Sequence, residues 1–412
     1  MIILPKHINI LCEKNGENRI CNEYSLYYRN FIWPFRDEDI LRVICDYGMD
    51  LGDCWRIEEI PTEIQEFPLE LIVYSSEGTQ LERASTTVTL TDRAEAAAMR
   101  IALIGDSMTH HGTYGEVLAE SLPKLSFIGT RNVTGHLVEG RGGWTLKRYL
   151  TQKEHYLRGI SPFMFPENES AEAYYGDWDF WRRGYEDPES DSYVYGGFQI
   201  KPIEEGESFI REGKLYRYRK SKEELIDENP VFRCDYKKYL KHFNLKTPDA
   251  VSFLFGANEM QKVPFDRTYE VVQNTINNFK TMIAAVREAN PTCKIIINLP
   301  IMGAEQYAWG KRLGCNWSGK QYHFNILKLC EAILGEFDNK EEEGYFISPA
   351  LLAIDPVYGF QREEVRVNKN VDITKTVQTN WVHPCEIGYR CIGEALAGTV
   401  AYISKVSTFD ME

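Results

Sequence analysis

The sequence predicts a layered α/β domain with a parallel sheet, preceded by a small β-sandwich. Three observations carry this. Residues 1–97 hold short strand-like runs parted by turn formers, apolar strands alternate with amphipathic helices from Arg100 onward, and that alternation is interrupted over residues 151–247. The expected organisation is therefore a domain at 1–97 and a second at 98–412 with an insertion at 151–247, and a chain of 412 residues has room for both.

The elements follow in order. Tyr24–Tyr28, Leu41–Tyr47, Cys54–Glu59, Leu69–Tyr74 and Ser85–Leu90 read as strands, with Gly48, Gly52, Pro61 and Ser75-Ser76-Glu77-Gly78 between them. Thr91–Ala97 reads as a linker. Arg100–Ile104, Ser126–Gly129, Ala250–Phe255, Lys294–Leu299 and Tyr345–Ile354 read as buried strands. Tyr114–Leu122, Tyr269–Glu288, Gln321–Phe337 and Glu386–Ile403 read as helices; in the second, Val272, Ile276, Phe279, Ile283 and Val286 share one face. Strand alternating with helix implies parallel pairing. The 151–247 segment is rich in Tyr, Trp, Glu and Arg, carries a candidate hairpin at Gly206–Tyr218, and reads as an insertion over a site.

Composition excludes several classes. A net charge of −14 and a pI near 5.2 disfavour nucleic acid, and no run of about 18 apolar residues offers a membrane span. Met1–Lys6 lacks the features of a signal peptide, so the cytoplasm is the expected compartment, or the exterior if a signal has been removed. The ten cysteines form no Cys-x-x-Cys pair and read as reduced thiols; adjacent His110 and His111 point apart, and no metal or cofactor is expected.

Four short blocks carry chemistry. Gly105-Asp106-Ser107 follows a strand and opens a helix, which places the serine at the carboxyl end of a parallel strand, where open α/β sheets bind ligands. The helix start turns backbone N–H groups toward any anion forming beside the hydroxyl. Glu139-Gly140-Arg141-Gly142-Gly143-Trp144-Thr145 is a glycine-rich turn, Gly256-Ala257-Asn258-Glu259 follows an apolar strand, and Asn380-Trp381-Val382-His383-Pro384 precedes the last helix. Each block alone is an ordinary turn or cap; their order and placement together point to a nucleophile, its donors and its base.

Over roughly 98–150 and 248–404, these blocks resemble the SGNH hydrolase superfamily, the GDSL-like lipases and esterases. The resemblance implies a flavodoxin-like α/β/α domain, Ser107 as nucleophile and His383 as base. It also implies an oxyanion hole from the Ser107 N–H, the Gly143 N–H and the Asn258 side chain. Glu259 stands where the family carries Asp, and Asn380 stands where the family's last block usually has its acid. An amide offers an imidazolium no full charge, and the matching Asp-to-Asn change in a serine protease costs ~10⁴ in rate. A main-chain carbonyl, or another carboxylate such as Asp355 or Asp372, is expected to take that part, ahead of the third reading, a catalytically impaired protein. Asp355 is favoured because it follows the apolar run Leu351–Ile354, read as a strand's carboxyl end.

The expected activity is hydrolysis of a small acyl ester, an O-acetyl group on a carbohydrate, by analogy with two-domain bacterial carbohydrate esterases. The expected partner is a small-molecule or oligosaccharide ester. Trp144, Trp178 and Trp181, with Tyr193 and Tyr195, are the aromatic candidates for holding a sugar ring. The rival readings are a lipase, thioesterase or lysophospholipase of the same superfamily, and a glycan-binding protein without catalysis.

Overall fold

The computed structural model describes residues 1–36, 38–132, 134–153, 160–174, 185–186, 193–194 and 203–409. The N-terminal region is almost entirely β: β1 (His7–Asn15), β2 (Asn18–Tyr27), β3 (Ile40–Ile44), β4 (Met49–Asp50), β5 (Cys54–Pro61), β6 (Glu66–Tyr74) and β7 (Gln80–Asp92). Their hydrogen-bonded order is β3-β6-β7-β1-β2-β5-β4. Strand β1 links the two halves, since His7–Cys12 pair with β7 while Glu13–Asn15 pair with β2. Sequence reading missed β1, whose polar residues blur the alternation, and the helical turn α1 (Tyr28–Phe31).

The second region is built on β8 (Met99–Gly105), α2 (Ser107–His111), α3 (Thr113–Ser121), β9 (Leu125–Ile128), β10 (Arg131–Asn132), β11 (Leu137–Gly140) and α4 (Leu146–Thr151). Parallel pairs join β9 and β11 to successive halves of β8, then β8 to β19 (Ala250–Leu254), β19 to β20 (Lys294–Asn298) and β20 to β21 (Tyr345–Ser348). Counting β9 and β11 as one position, the parallel strands run 2-1-3-4-5 in chain order. The order reverses beside β8, and in open sheets ligands bind at such a switch point beyond the carboxyl ends of the strands.

Alternate residues of the central strands point into different cores. Ala102, Ile104, Val251, Phe253, Ile295 and Ile297 pack with Tyr149 of α4 and with residues of α7 (Thr268–Ala289) and α9 (Gly319–Phe337). Ile101, Leu103, Leu254 and Ile296 pack with Leu118 of α3 and Leu396 of α11 (Glu386–Phe409). Both faces of the sheet are thus covered, which is why its strands read as unbroken apolar runs. The first of these cores continues into the N-terminal strands. Among the described residues, no helix is long and apolar enough to cross a membrane.

The described residues of the 151–247 segment are more regular than expected. Strand β12 (Met164–Pro166) pairs with β18 (Phe232–Cys234), β15 (Ser208–Arg211), β16 (Lys214–Arg219) and β17 (Lys222–Asp227) form an antiparallel meander, and α5 (Tyr236–His242) leads back to the sheet. The expected hairpin at Gly206–Tyr218 is the first half of that meander. A two-residue ladder, β13 (Tyr185–Glu186) with β14 (Tyr193–Val194), completes the described backbone there. After β19, β20 and β21 come α6 (Ala257–Met260), α8 (Gln306–Leu313) and α10 (Ala350–Ala353) respectively, and α10 is followed by an exposed hairpin, β22 (Arg362–Asn368) with β23 (Val371–Gln378). Sequence reading missed α8 and this hairpin.

Candidate active site

Ser107 is the first residue of α2, immediately past the end of β8. Asp106 caps that helix, its carboxylate accepting from the Met108 N–H at 2.9 Å, and Gly112 ends it in the left-handed region. The neighbouring strand approaches very closely. A Cβ on Gly140 would lie 2.2 Å from the His110 nitrogen, so only glycine lets β11 pass under α2. His383 reaches the serine from the far end of the chain: its Nε2 lies 2.8 Å from Ser107 Oγ.

The donors come from the next two loops. Arg141–Trp144 is a tight turn closed by the Trp144 N–H donating to the Arg141 carbonyl at 3.1 Å, with Gly143 at φ +73°. A positive φ at the third position of such a turn suits glycine, and it sets the direction of the Gly143 N–H. The Arg141 N–H donates to the Gly105 carbonyl at 3.0 Å, which ties the turn to the nucleophile strand. Asn258, in α6, donates one N–H to the Trp144 carbonyl at 2.9 Å and makes a longer, 3.4 Å contact with Asp106. Among the described residues, neither the Ser107 nor the Gly143 N–H meets an acceptor.

Glu259 has a structural part that its sequence block did not disclose. One carboxylate oxygen accepts from the Gly256 N–H at 3.0 Å and the other from the Leu146 N–H at 2.7 Å, so it clamps the Asn258 turn to the start of α4. Burial pushes its carboxyl above the usual range. Burial also pushes Asp106 up to about 8, with the Glu259 charge adding to the shift and the Met108 N–H opposing it.

The expected third members fall elsewhere. Asp355 does not end a strand: β21 stops at Ser348, Pro349 breaks the extended chain, and Ala350–Ala353 form the helical turn α10. A short apolar run fits buried strand and buried helix equally, which is why periodicity misread it. The Asp355 carboxylate accepts from the Tyr27 hydroxyl at 3.1 Å and from the Val357 and Tyr358 N–H groups at 2.7 and 2.8 Å, so it holds the N-terminal region to the second. Asp372 stands exposed on the β22–β23 hairpin, paired with Arg366 at 3.2 Å. The Asn380 side-chain oxygen accepts from the backbone N–H of His383 at 3.1 Å and of Val382 at 3.4 Å, fixing the turn that carries the imidazole.

Trp144 is corrected from a sugar-binding candidate to a core residue. It is 1% exposed, and its ring meets Tyr149 edge-on at 5.1 Å. Trp178, Trp181 and Tyr195 lie outside the described residues, as does the side chain of Tyr193. Sequence reading weighed His111 only as a metal ligand; its ring lies 5.5 Å from that of His383 in an edge-on contact and 5.6 Å from that of Tyr389. Its adjacency to the nucleophile block was the available signal.

No family model matches the chain, and no curated protein matches it. Solved esterases resemble it. A carbohydrate esterase family 3 protein from Talaromyces cellulolyticus is 13% identical, covering 75% of this chain and 99% of its own, with a TM-score of 0.36. A family 3 carbohydrate esterase from Clostridium thermocellum is 12% identical over 76% of this chain and 99% of its own, with a TM-score of 0.34. A possible lipase from Chitinophaga pinensis is 14% identical over 73% of this chain and 96% of its own, with a TM-score of 0.32. At TM-scores this low these likenesses add nothing to the geometry, and the functional reading rests on the chain's own residues.

Proposed function

We propose that this chain is a serine esterase of the SGNH type that removes a small acyl group, an acetyl, from a carbohydrate. The observation that carries the reading is the 2.8 Å approach of His383 Nε2 to Ser107 Oγ at the carboxyl end of the central parallel strand. The 2-1-3-4-5 strand order and the two covered faces support a flavodoxin-like three-layer domain from about residue 98; the division of β1 between β7 and β2 supports a sandwich in the all-β region to about residue 97. The carbohydrate half of the reading rests on the aromatic-rich 151–247 segment, which leaves the sheet directly after the Gly143 turn and its helix.

In this mechanism Ser107 Oγ attacks the ester carbonyl carbon as His383 Nε2 takes the hydroxyl proton. The carbonyl oxygen becomes an oxyanion, which accepts from the Ser107 N–H, the Gly143 N–H and an Asn258 N–H. The Asn258 N–H directed at Asp106, with nitrogen and oxygen 3.4 Å apart, is the one that can turn to a stronger acceptor. The tetrahedral intermediate collapses, the C–O bond to the alcohol breaks, and His383 returns the proton to the leaving oxygen. A water, deprotonated by His383, then hydrolyses the acyl-enzyme. The catalytic set is a Ser107–His383 dyad held by Asn380; Asp355 is assigned to the junction between the two regions.

The test is turnover of p-nitrophenyl acetate and octanoate, with acetate release from acetylated oligosaccharides. Acetyl esters are expected to be preferred, and Ser107→Ala to abolish turnover in a folded protein. Undiminished turnover in Ser107→Ala would sink the assignment, and preference for octanoate would redirect it to a lipase.

A further inference from the structure

The turn that carries Gly143 stands on a sealed cluster of charges. Arg131, Glu139 and Arg141 are each 3% exposed or less. The Arg141 guanidinium is hydrogen-bonded to the Glu139 carboxylate and lies over the rings of Trp144 and Tyr149, at 5.2 and 5.5 Å from their centroids. Glu139 also accepts from the hydroxyls of Thr130 at 2.7 Å and Tyr239 at 2.9 Å, and Arg131 reaches it at 4.0 Å. The Tyr149 hydroxyl sits 2.8 Å from the carbonyls of both Gly105 and Glu139. The cluster therefore joins the strand before the nucleophile, the strand before the donor turn, and α4 beyond it.

Filling this space with apolar side chains would avoid the desolvation of three charges. Burial alone would push Glu139 up, yet the charges of Arg141 and Arg131 outweigh it and hold the carboxyl below its usual range. Two guanidinium groups thus face one carboxylate, and the sealed cluster is net positive. That sign suits a site where negative charge develops. The planar Arg141 fork can bond Glu139 and lie against two rings at once, which a lysine cannot do. Its backbone donates to Gly105 and accepts from Trp144, while its side chain is bonded to Glu139 and lies over the Trp144 ring at the other end of the turn.

We propose that Arg141 is a positioning residue for the oxyanion site: anchored by Glu139, it fixes the Arg141–Trp144 turn so that the Gly143 N–H is aimed before substrate arrives. This deepens the esterase reading and rests on it. A donor that must be re-aimed at each turnover loses the benefit of preorganisation, and one oxyanion donor is worth ~10²–10³-fold in kcat.

The experiment compares wild type with Arg141→Lys, which keeps the charge beside Glu139, and with Arg141→Met, which removes the fork and leaves Glu139 facing Arg131. Three readouts are taken: kcat and KM for p-nitrophenyl acetate, inhibition by a trifluoromethyl ketone that adds the serine hydroxyl to form a tetrahedral anion, and amide hydrogen exchange at Arg141 and Trp144. Arg141→Lys is expected to lose ~10²-fold in kcat with KM changed by less than ~3-fold, to lose inhibitor affinity in proportion, and to exchange both amides faster. Arg141→Met should do the same. Unchanged kcat in either folded variant, or kcat and KM failing together with unaltered exchange, would overturn the proposal. If wild type neither turns over ester nor reacts with a fluorophosphonate at Ser107, the esterase reading fails. Exchange then decides the turn by itself: faster exchange in Arg141→Lys upholds the positioning of the Gly143 turn, and unchanged exchange overturns it.

Discussion

The two halves of the candidate site are built in opposite ways. The nucleophile half sits on three loops that follow adjacent parallel strands, and these loops are bonded to one another. Arg141 donates to Gly105, Asn258 to Trp144, and Leu146 to Glu259. The base half is a single loop between the exposed β22–β23 hairpin and α11. It is pinned at intervals. Buried Gln378 accepts from the Glu305 N–H at 2.7 Å and donates to the Pro356 carbonyl at 2.7 Å, Trp381 leans edge-on against Trp309 at 4.9 Å, and Cys385 donates its N–H to the Gly359 carbonyl at 2.9 Å. The difference matches the proposed chemistry. Oxyanion donors gain from being immobile, whereas a general base must serve first the serine hydroxyl and then the leaving oxygen.

The sharpest break of this comparison is removal of the base itself. His383→Ala is expected to lower kcat by ~10²–10⁴-fold, the usual worth of a positioned general base, with the fold intact by circular dichroism. A folded His383→Ala protein with unchanged turnover would show that the loop carries no base at all.

On the rigid side, Gly143→Ala tests whether the turn's geometry matters. A side chain at φ +73° is strained, so the turn should relax and swing the N–H away. The expected loss is ~10²–10³ in kcat, or about 2.7–4 kcal/mol, with KM little altered. An equal loss in KM would instead indicate that the turn binds substrate.

Asn380→Ala should have a smaller effect, about fivefold in kcat, because it removes a backbone-capping hydrogen bond worth roughly 1 kcal/mol and no charge. Steady-state kinetics beside His383→Ala and Asp355→Asn decides this. If Asn380→Ala falls as far as His383→Ala, the amide is a genuine third member. Asp355→Asn should scarcely change kcat, because its carboxylate is committed to Tyr27 and the Val357–Tyr358 turn.

The gentlest probe is pH. Asp106 in the folded chain loses its proton near pH 8, against an ordinary carboxyl near 3.8 when unfolded. Between those values the folded state holds more protons, so this group's contribution is fully present below about pH 4 and is lost as pH rises toward 8. Asp106→Asn keeps an oxygen for the Met108 N–H and does not ionise. Its melting temperature should therefore drop less between pH 5 and 8 than that of wild type. Parallel drops would show that Asp106 titrates as an ordinary carboxylate.

The sequence by itself determined the alternating strand–helix register of the second region and the four blocks around Ser107, Gly143, Asn258 and His383. It could do so because a doubly covered parallel strand reads as an apolar run, and because tight turns at strand ends demand glycine or a capping side chain within a few residues. Only tertiary structure decided that Trp144 is core, that Asp355 joins the two regions, that Asn380 caps a turn, and that Arg141 and Glu139 are sealed together. Those roles depend on which side chains meet across separations of up to hundreds of residues, as Tyr27 meets Asp355 and Ser107 meets His383. Local spacing shows that a residue can bond or fill space; the partner that settles which of these it does arrives only when the chain closes on itself.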